Sequence, residues 1–576
     1  MSDSLRQPIE AAVRALLSEA GDDGPVPEFA LEASRQPEHG DFACNAAMLL
    51  ARRLRRKPRE LAEALVAALG DAGGRVERAE VAGPGFVNLW LGGGHWHALL
   101  RDIVAAGARY GASDDGKGAK TMVEFVSANP TGPLSTGHGR QAVLGDCIAR
   151  LLAFTGHDVT REYYFNNGGR QMRVLGESVK ARYLEALGRA AAPPPGAFDE
   201  GAAWPESVDG LPVVFPRDGY QGDYIKDIAN AMIAESGAAL ADEPGDGVFR
   251  ERAERDIFAD IRATLDSIGI AFDVYSNEND LYAQGRVDAV LADLRAAGLC
   301  YDADGAVWIA ATKLGLERDR VLVKGTGEPT YMTPDIAYHR EKLARGFERV
   351  IDVQGADHKD QFPFVQAGLR ALGLDADRIE LVMHQFVTIT SGGEQVKQST
   401  RRATFITVDE LVEQTGADVF RFFMIERKAE GHLDFDLDLA KDRDWKKNPA
   451  YYVQYAHART AGVERKALEA GLAAPAGDAL DASPLALPEE IAIVKKLGEF
   501  PALVARSAQA REPHHVAYYL RELAGLWNPY LQDGKHHRIV SDDVALSLAR
   551  LGLARAVHTV LANGLALLGV SAPESM

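Results

Sequence analysis

Two segments far apart in the chain carry residue types that handle phosphate. The first reads Pro130-Thr131-Gly132-Pro133-Leu134-Ser135-Thr136-Gly137-His138-Gly139-Arg140. Gly137 and Gly139 let backbone approach a ligand with no Cβ in the way. Leu144, Cys147, Ile148, Leu151 and Leu152 then recur at helical spacing. A helix starting here points its first N–H groups at the same place, which favours phosphate. His138 adds a donor that can meet a phosphate oxygen as charge shifts during displacement. The same residues also suit a Gly-rich turn with a helix-capping histidine. The second segment is Val396-Lys397-Gln398-Ser399-Thr400-Arg401-Arg402. Its cations can fold over a triphosphate and neutralise charge developing on pyrophosphate. Taken alone, it is equally a solvated basic loop.

The elements around these segments imply an α/β domain. Residues 122–126 form a short apolar run rich in β-branched types, and Asn129-Pro130-Thr131-Gly132-Pro133 is a turn. The helix runs on to Gly156. Strand, loop and helix at the start of a long region predict a doubly wound parallel sheet. Residues 350–353 and 379–382 read as further buried strands, and 190–201, with Pro193-Pro194-Pro195, as a loop inside an insertion. The expected boundaries are 1–110 for a first α+β unit, with a helix at 45–54 and a strand at 85–91. A Gly/Asp/Lys-rich linker spans 111–120. A catalytic unit spans 118–444, with an insertion at 185–300, and an all-α unit spans 445–576.

Bulk properties set the outer limits. The chain has 576 residues, more than a single core supports, so two to four domains are expected. Hydrophobic residues make up 46% and charged residues 26%, which suits a folded globular protein rather than a disordered one. The net charge of −19 does not advertise a nucleic-acid partner, but a local patch can serve one. Arg52, Arg53, Arg55, Arg56, Lys57 and Arg59 form such a patch, or else a solvated helix face. Cys44, Cys147 and Cys300 lie too far apart in sequence for a zinc knuckle or a disulfide framework. The pairs His514/His515 and His536/His537 read as surface residues, and no metal site is expected. Arg6, Glu10 and Arg14 interrupt any signal-peptide core. Arg550, Arg555 and His558 interrupt the apolar stretch 546–570, which reads as an amphipathic helix. A cytoplasmic protein with no membrane span is expected.

Together the two phosphate-handling segments resemble the paired signature motifs of class I aminoacyl-tRNA synthetases. Further blocks narrow the resemblance to the arginyl-tRNA synthetases. They are Val123-Glu124-Phe125-Val126-Ser127-Ala128-Asn129, Tyr331-Met332-Thr333-Pro334-Asp335-Ile336-Ala337-Tyr338-His339, Gly355-Ala356-Asp357-His358, Leu433-Asp434-Phe435-Asp436 and Asn448-Pro449-Ala450-Tyr451-Tyr452-Val453-Gln454-Tyr455-Ala456-His457-Ala458-Arg459. His39-Gly40-Asp41-Phe42-Ala43 and the ending Leu568-Gly569-Val570-Ser571-Ala572-Pro573-Glu574 fit as well.

The resemblance implies a Rossmann-like catalytic domain and a helical anticodon-binding domain. It implies ATP as substrate, Mg2+, L-arginine and tRNA(Arg) as partners, and a monomer. It places catalysis on His138, Lys397, Ser399 and Arg401, and ATP binding on Pro130 through Arg140. It places arginine recognition on Glu124, Ser127, Asn129, Tyr331, Asp335 and Gln354. Arg52, Arg55, Arg56, Tyr455 and Arg459 would meet tRNA. Tyr451, Tyr452, Tyr455 and Trp527 either stack on anticodon bases or fill the helical core.

This sequence departs from the family pattern twice. Ser135 stands at the first signature histidine and Thr400 at the second signature lysine, with Arg401 or Arg402 as replacement charge. Two other readings remain: a nucleotidylyltransferase, and a catalytically weakened synthetase-like tRNA-binding protein.

Overall fold

The computed structural model describes residues 2–34, 37–199, 201–356, 359–396 and 406–576. Its centre is a five-stranded sheet. Across the sheet lie Ile379–His384, Arg349–Gly355, Lys120–Glu124, Asp158–Phe165 and Val274–Asn277, every neighbouring pair parallel. Met122, Val123, Val350, Ile351 and Val353 are buried to within 1% of complete. Such apolar runs suit strands covered on both faces. Lys120–Glu124 comes first in the chain and its neighbour Arg349–Gly355 fourth, so the winding reverses between them. In open α/β sheets ligands bind there, outside the carboxyl ends of the strands. The helix Thr136–Phe154 leaves the first strand, and Met332–Ala344 leads into the fourth. Both helix N-termini therefore face that carboxyl edge. The stretch 185–300 holds helices of its own, yet also the sheet's edge strand Val274–Asn277.

The first unit is α+β. The antiparallel strands Leu31–Ala33, Phe42–Cys44, Phe86–Leu91 and Val76–Ala82 pack against Ser2–Glu19, Ala46–Leu54 and Pro58–Leu69. The next helix, Gly93–Ala106, packs instead on the C-terminal bundle.

That bundle is built from Pro449–Glu469, Pro488–Ala510, His514–Gln532 and Val544–Leu568. Val544–Leu568 is long and apolar enough to cross a membrane, but 72% of its most apolar window is buried inside the protein. The amphipathic expectation is corrected here: Arg550 is buried, and its Nε donates to Glu490 Oε1 at 2.8 Å. The Arg550 charge is neutralised in the core, whereas Arg555, paired with Glu464, stays 41% exposed. His514, expected at the surface, is also buried. Arg421 ties the bundle to the catalytic sheet, donating to Leu568 O at 3.0 Å, Ile268 O at 2.8 Å and the Asp146 carboxylate.

Candidate active site

At the end of the first strand the chain turns sharply. Val126 (φ 68°) and Ser127 (φ 43°) both adopt left-handed backbone, uncommon for side chains with a Cβ and found disproportionately at functional sites. The turn lets Ser127 Oγ donate to Glu124 Oε1 at 2.8 Å and accept from Tyr164 N at 3.2 Å. Asn129 follows, accepting from Asn166 N and donating to Gln171 Oε1, both at 3.0 Å.

The Gly/His segment divides in two. Gly137 keeps one face open, since an added Cβ would meet only Ser135 Oγ, at 3.8 Å. Ser135 is the N-cap of Thr136–Phe154: its Oγ accepts from His138 N, and Ser135 N donates back to His138 Nδ1 at 3.3 Å. The helix-capping reading of His138 is therefore present in the structure.

The side chains of other members of the segment face the core. A Cβ on Gly139 would lie 2.7 Å from Phe420 Cζ and 2.9 Å from Val408 Cγ2, so that glycine serves packing. Leu134 is buried. Thr136 Oγ1 donates to Ile406 O at 3.0 Å. Arg140 donates to the carbonyls of Gln385 (2.7 Å) and Lys428 (3.0 Å), and burial pulls its guanidinium down to about 10. Tyr224 Oη bonds Thr131 O at 2.7 Å and closes over Gly132. Lys397, Ser399, Thr400, Arg401 and Arg402, like Asp357 and His358, lie outside the described residues. The chain resumes beside the helix N-terminus, where Thr407 bridges Ser135 and Val408 N donates to Leu134 O at 2.9 Å.

Asp335 sits in the first turn of Met332–Ala344, at the same edge of the sheet. Burial drives its carboxyl up to about 7; His339 opposes this, and the nearby Glu278 and Glu124 carboxylates add to it. Gln361 donates to its Oδ2. Glu278, at the end of the third strand, was not singled out from sequence. Its carboxylate accepts from Tyr164 Oη at 2.9 Å and Asn166 Nδ2 at 2.8 Å, and burial raises it against both bonds. Two carboxylates in one partly buried site form a receptor for a cation. Tyr331, 68% exposed, stands at the rim. Gln354 lies on the fourth strand beside Met383, partly buried.

Glu124 is not a free counter-charge. Its second oxygen accepts from Lys342 Nζ, which also donates to Asp352 Oδ1 at 2.7 Å. Burial would strip Lys342 of its proton, but Asp352 and Glu124 outweigh it and hold the ammonium charged. Glu124 is thus paired with a core cation, the Lys342 ammonium. His339 spans the same group, bonding Asp352 Oδ2 and the backbone oxygen of Asp335, each at 2.7 Å. These residues form a buried floor beneath Asp335.

The proposed RNA-contacting residues lie elsewhere. Arg52, Arg55 and Arg56 are exposed, whereas Arg53 is held by Asp22, and Lys57 and Arg59 pair with Glu60 and Glu63. In the bundle Tyr455 stacks on Trp445 with ring centroids 4.0 Å apart, and Arg459 covers Tyr455 at 5.5 Å. Trp527 is fully buried, its Nε1 bonded to Thr460 Oγ1 at 2.7 Å, so it belongs to the core and not to a stacking surface.

A parallel sheet with a glycine-bearing helix N-terminus at its reversal, followed by a helical bundle, is the architecture of a class I synthetase. Residues 100–190 and 235–430 match the class I (R) tRNA synthetase catalytic domain. Residues 3–91 match the arginyl tRNA synthetase N-terminal domain, and 453–576 the DALR anticodon binding domain. The chain is 48% identical to an arginine–tRNA ligase of Desulfotalea psychrophila, covering 95% of each chain. It is 47% identical to that of Salinibacter ruber, covering all of both. A solved structure described as a putative arginyl tRNA synthetase from Campylobacter jejuni superposes with a TM-score of 0.72 at 27% identity, covering 84% of this chain and 99% of that one. The chain belongs to the arginine–tRNA ligase family.

Proposed function

We propose that this chain activates L-arginine with ATP and transfers it to the 3′-terminal ribose of tRNA(Arg), releasing AMP and pyrophosphate. The observation that carries the reading is that the Asp335 and Glu278 carboxylates, both at the carboxyl edge of the sheet, lie near enough for Glu278 to raise Asp335, on the edge that the N-terminus of Thr136–Phe154 also faces. A guanidinium is flat, permanently charged and rich in donors, so two buried carboxylates match it far better than they match an ammonium. Tyr331 closes the rim. Asn129 and Ser127 address the amino-acid head, with Glu124 acting from beneath as the group that orients Ser127.

Two displacements follow from this arrangement. An arginine carboxylate oxygen attacks the α-phosphorus of ATP, and the bond to pyrophosphate breaks. The terminal ribose hydroxyl of tRNA then attacks the carbonyl carbon of the adenylate, and AMP leaves. Neither step needs an enzyme nucleophile, so alignment and charge stabilisation supply the rate. ATP arrives as its magnesium complex, the metal carried on the phosphates. The open face of Gly137 and the helix N-terminus receive the phosphates, with His138 as donor. Lys397, Ser399 and Arg401 belong to the segment that precedes the pairing of Thr407 with Ser135; the two cations neutralise pyrophosphate and Ser399 donates it a hydrogen bond. Arg52, Arg55 and Arg56 meet the tRNA backbone, and Tyr455 with Arg459 a base of the anticodon arm. The enzyme works as a cytoplasmic monomer.

The test is aminoacylation with arginine or lysine, ATP and total tRNA. Arginine is expected to charge tRNA with release of AMP and pyrophosphate, and lysine barely at all, because each acceptor left unpaired costs about 1–3 kcal/mol. Equal charging of both, or nucleotidyl transfer without charged tRNA, would overturn the reading. So would tRNA binding without turnover.

A further inference from the structure

Asn166 bonds to both ends of the proposed arginine site. It follows the second strand, Asp158–Phe165, at the carboxyl edge of the sheet. Its main-chain N donates to Asn129 Oδ1 at 3.0 Å. Its side chain reaches the other way, and both of its polar atoms are identified by their partners. Oδ1 accepts from Gly168 N at 2.7 Å, and a backbone N–H only donates, so the remaining atom is the NH2 group. That Nδ2 donates to Glu278 Oε1 at 2.8 Å. The bond from Gly168 alone closes the turn. An asparagine that served only the turn would leave Nδ2 to water, whereas here it is spent on a buried carboxylate.

One residue therefore joins the side chain at the amino-acid head to the carboxylate at the guanidinium end. The spacing of those two contacts is set by covalent geometry. The turn itself is gripped. Asn167 Nδ2 donates to Glu254 Oε1 and Asn167 Oδ1 accepts from Asn279 Nδ2, both at 2.6 Å. Asn279 directly follows Glu278, and a Cβ on Gly168 would lie 2.5 Å from Asn279 Oδ1. The second oxygen of Glu278 is held by Tyr164 Oη at 2.9 Å. The Tyr164 ring is fixed in turn by stacking on Tyr338, with centroids 4.1 Å apart. A carboxylate offers about four acceptor sites, so these two donors leave room for the paired N–H groups of a guanidinium.

We propose that Asn166 is a positioning residue that sets the length of amino-acid side chain the enzyme accepts, by fixing Glu278 relative to Asn129. The proposal rests on the assignment of Asn129 to the amino-acid head and of Glu278 to the guanidinium. A homologue one methylene longer or shorter keeps its head at Asn129 and misplaces its guanidinium. The acceptors of Glu278 are then left unpaired, which is what rejects it.

The test is aminoacylation by the full chain with arginine, homoarginine (one methylene longer) and norarginine (one methylene shorter). The wild type is expected to favour arginine over both homologues by about 10–200-fold in kcat/KM. Asn166→Ser keeps an acceptor for Gly168 N but is too short to reach Glu278, so the turn holds while the link is lost. It should cut the preference for arginine by on the order of tenfold, through a higher KM for arginine with KM for ATP unchanged. Tyr164→Phe removes only the other bond to Glu278 and keeps the ring stack. It should shift the preference in the same direction, and it decides the matter if the serine variant does not fold. An unchanged preference in the folded variant overturns the proposal. So does a loss by one common factor for all three amino acids, which marks a purely structural role. A wild type that does not charge arginine removes the function and the proposal together, whereas wild-type charging with an unchanged preference in the variant removes the proposal alone.

Discussion

Replacing Asp335 with asparagine separates binding from stability, because its carboxylate serves one at the expense of the other. In the free enzyme burial raises this carboxyl from 3.8 to about 7. At 1.36 kcal/mol per pH unit, holding the anion at neutral pH costs about 4 kcal/mol. The sign follows from linkage. A carboxyl raised by folding binds protons more tightly in the native state, so stability falls as pH rises from near 4 through 7 and the full loss is present above 7. Asp335→Asn removes that loss. The variant is expected to melt with the wild type at pH 4 and above it at pH 8. An arriving guanidinium recovers the same energy, which sets the scale of the functional loss: kcat/KM for arginine should drop on the order of a thousandfold at pH 8. In the wild type kcat/KM should fall about tenfold per pH unit below 7 as Asp335 takes up its proton, and the variant should lose that slope. Steady-state aminoacylation from pH 6 to 9, paired with thermal melts, measures both. A variant that melts lower at pH 8, or that keeps the wild-type pH profile, refutes the reasoning.

Three further outcomes follow from named contacts. Lys342→Met leaves Glu124 and Asp352 facing each other without their shared cation, and should destabilise the fold by about 3–5 kcal/mol in chemical denaturation. Its KM for arginine should also rise while KM for ATP holds, and an unchanged midpoint would reject the buried floor. Gly139→Ala drives a methyl against Phe420 and Val408, so a loss of about 1–3 kcal/mol is expected; a neutral result would return Gly139 to ligand contact. Arg401→Glu should slow ATP-dependent activation with little change in melting temperature, and wild-type kinetics would remove Arg401 from the pyrophosphate contact.

Much of the scaffold was legible because apolar runs and glycines report local geometry. The strands at 350–353 and 379–382 appear as Arg349–Gly355 and Ile379–His384, and the helix after Gly137 as Thr136–Phe154. Glu278 was not legible. It follows a four-residue edge strand, Val274–Asn277, whose residues are all only partly buried, so no periodicity marks it. Only its place at the carboxyl end of a strand could have signalled it. The Lys342 floor was half legible. Asp352 stands in the apolar run Val350-Ile351-Asp352-Val353, and a carboxylate there demands a partner. That partner lies on the preceding helix, Met332–Ala344, and only the packing of helix on strand identifies it. Arg550 misled for a related reason: a charge in an apolar helix reads as a solvent face until Glu490 is brought beside it.

Ser135 shows how a departure from a family motif can be absorbed by backbone chemistry. Where the family carries an imidazole, this chain carries the residue type best suited to cap a helix, worth about 1 kcal/mol to the helix it starts. Ser135 and His138 satisfy each other across the first turn. A phosphate approaching Gly137 competes for those same N–H groups, and as a charged acceptor it binds them more strongly than a serine hydroxyl does. Under the proposed ATP site the cap would be a placeholder that yields to substrate. The cationic charge that a histidine would have brought must come from elsewhere. We assign it to the segment carrying Lys397, Arg401 and Arg402, which lies outside the described residues; Thr407 and Val408, just after it, pair with Ser135 and Leu134.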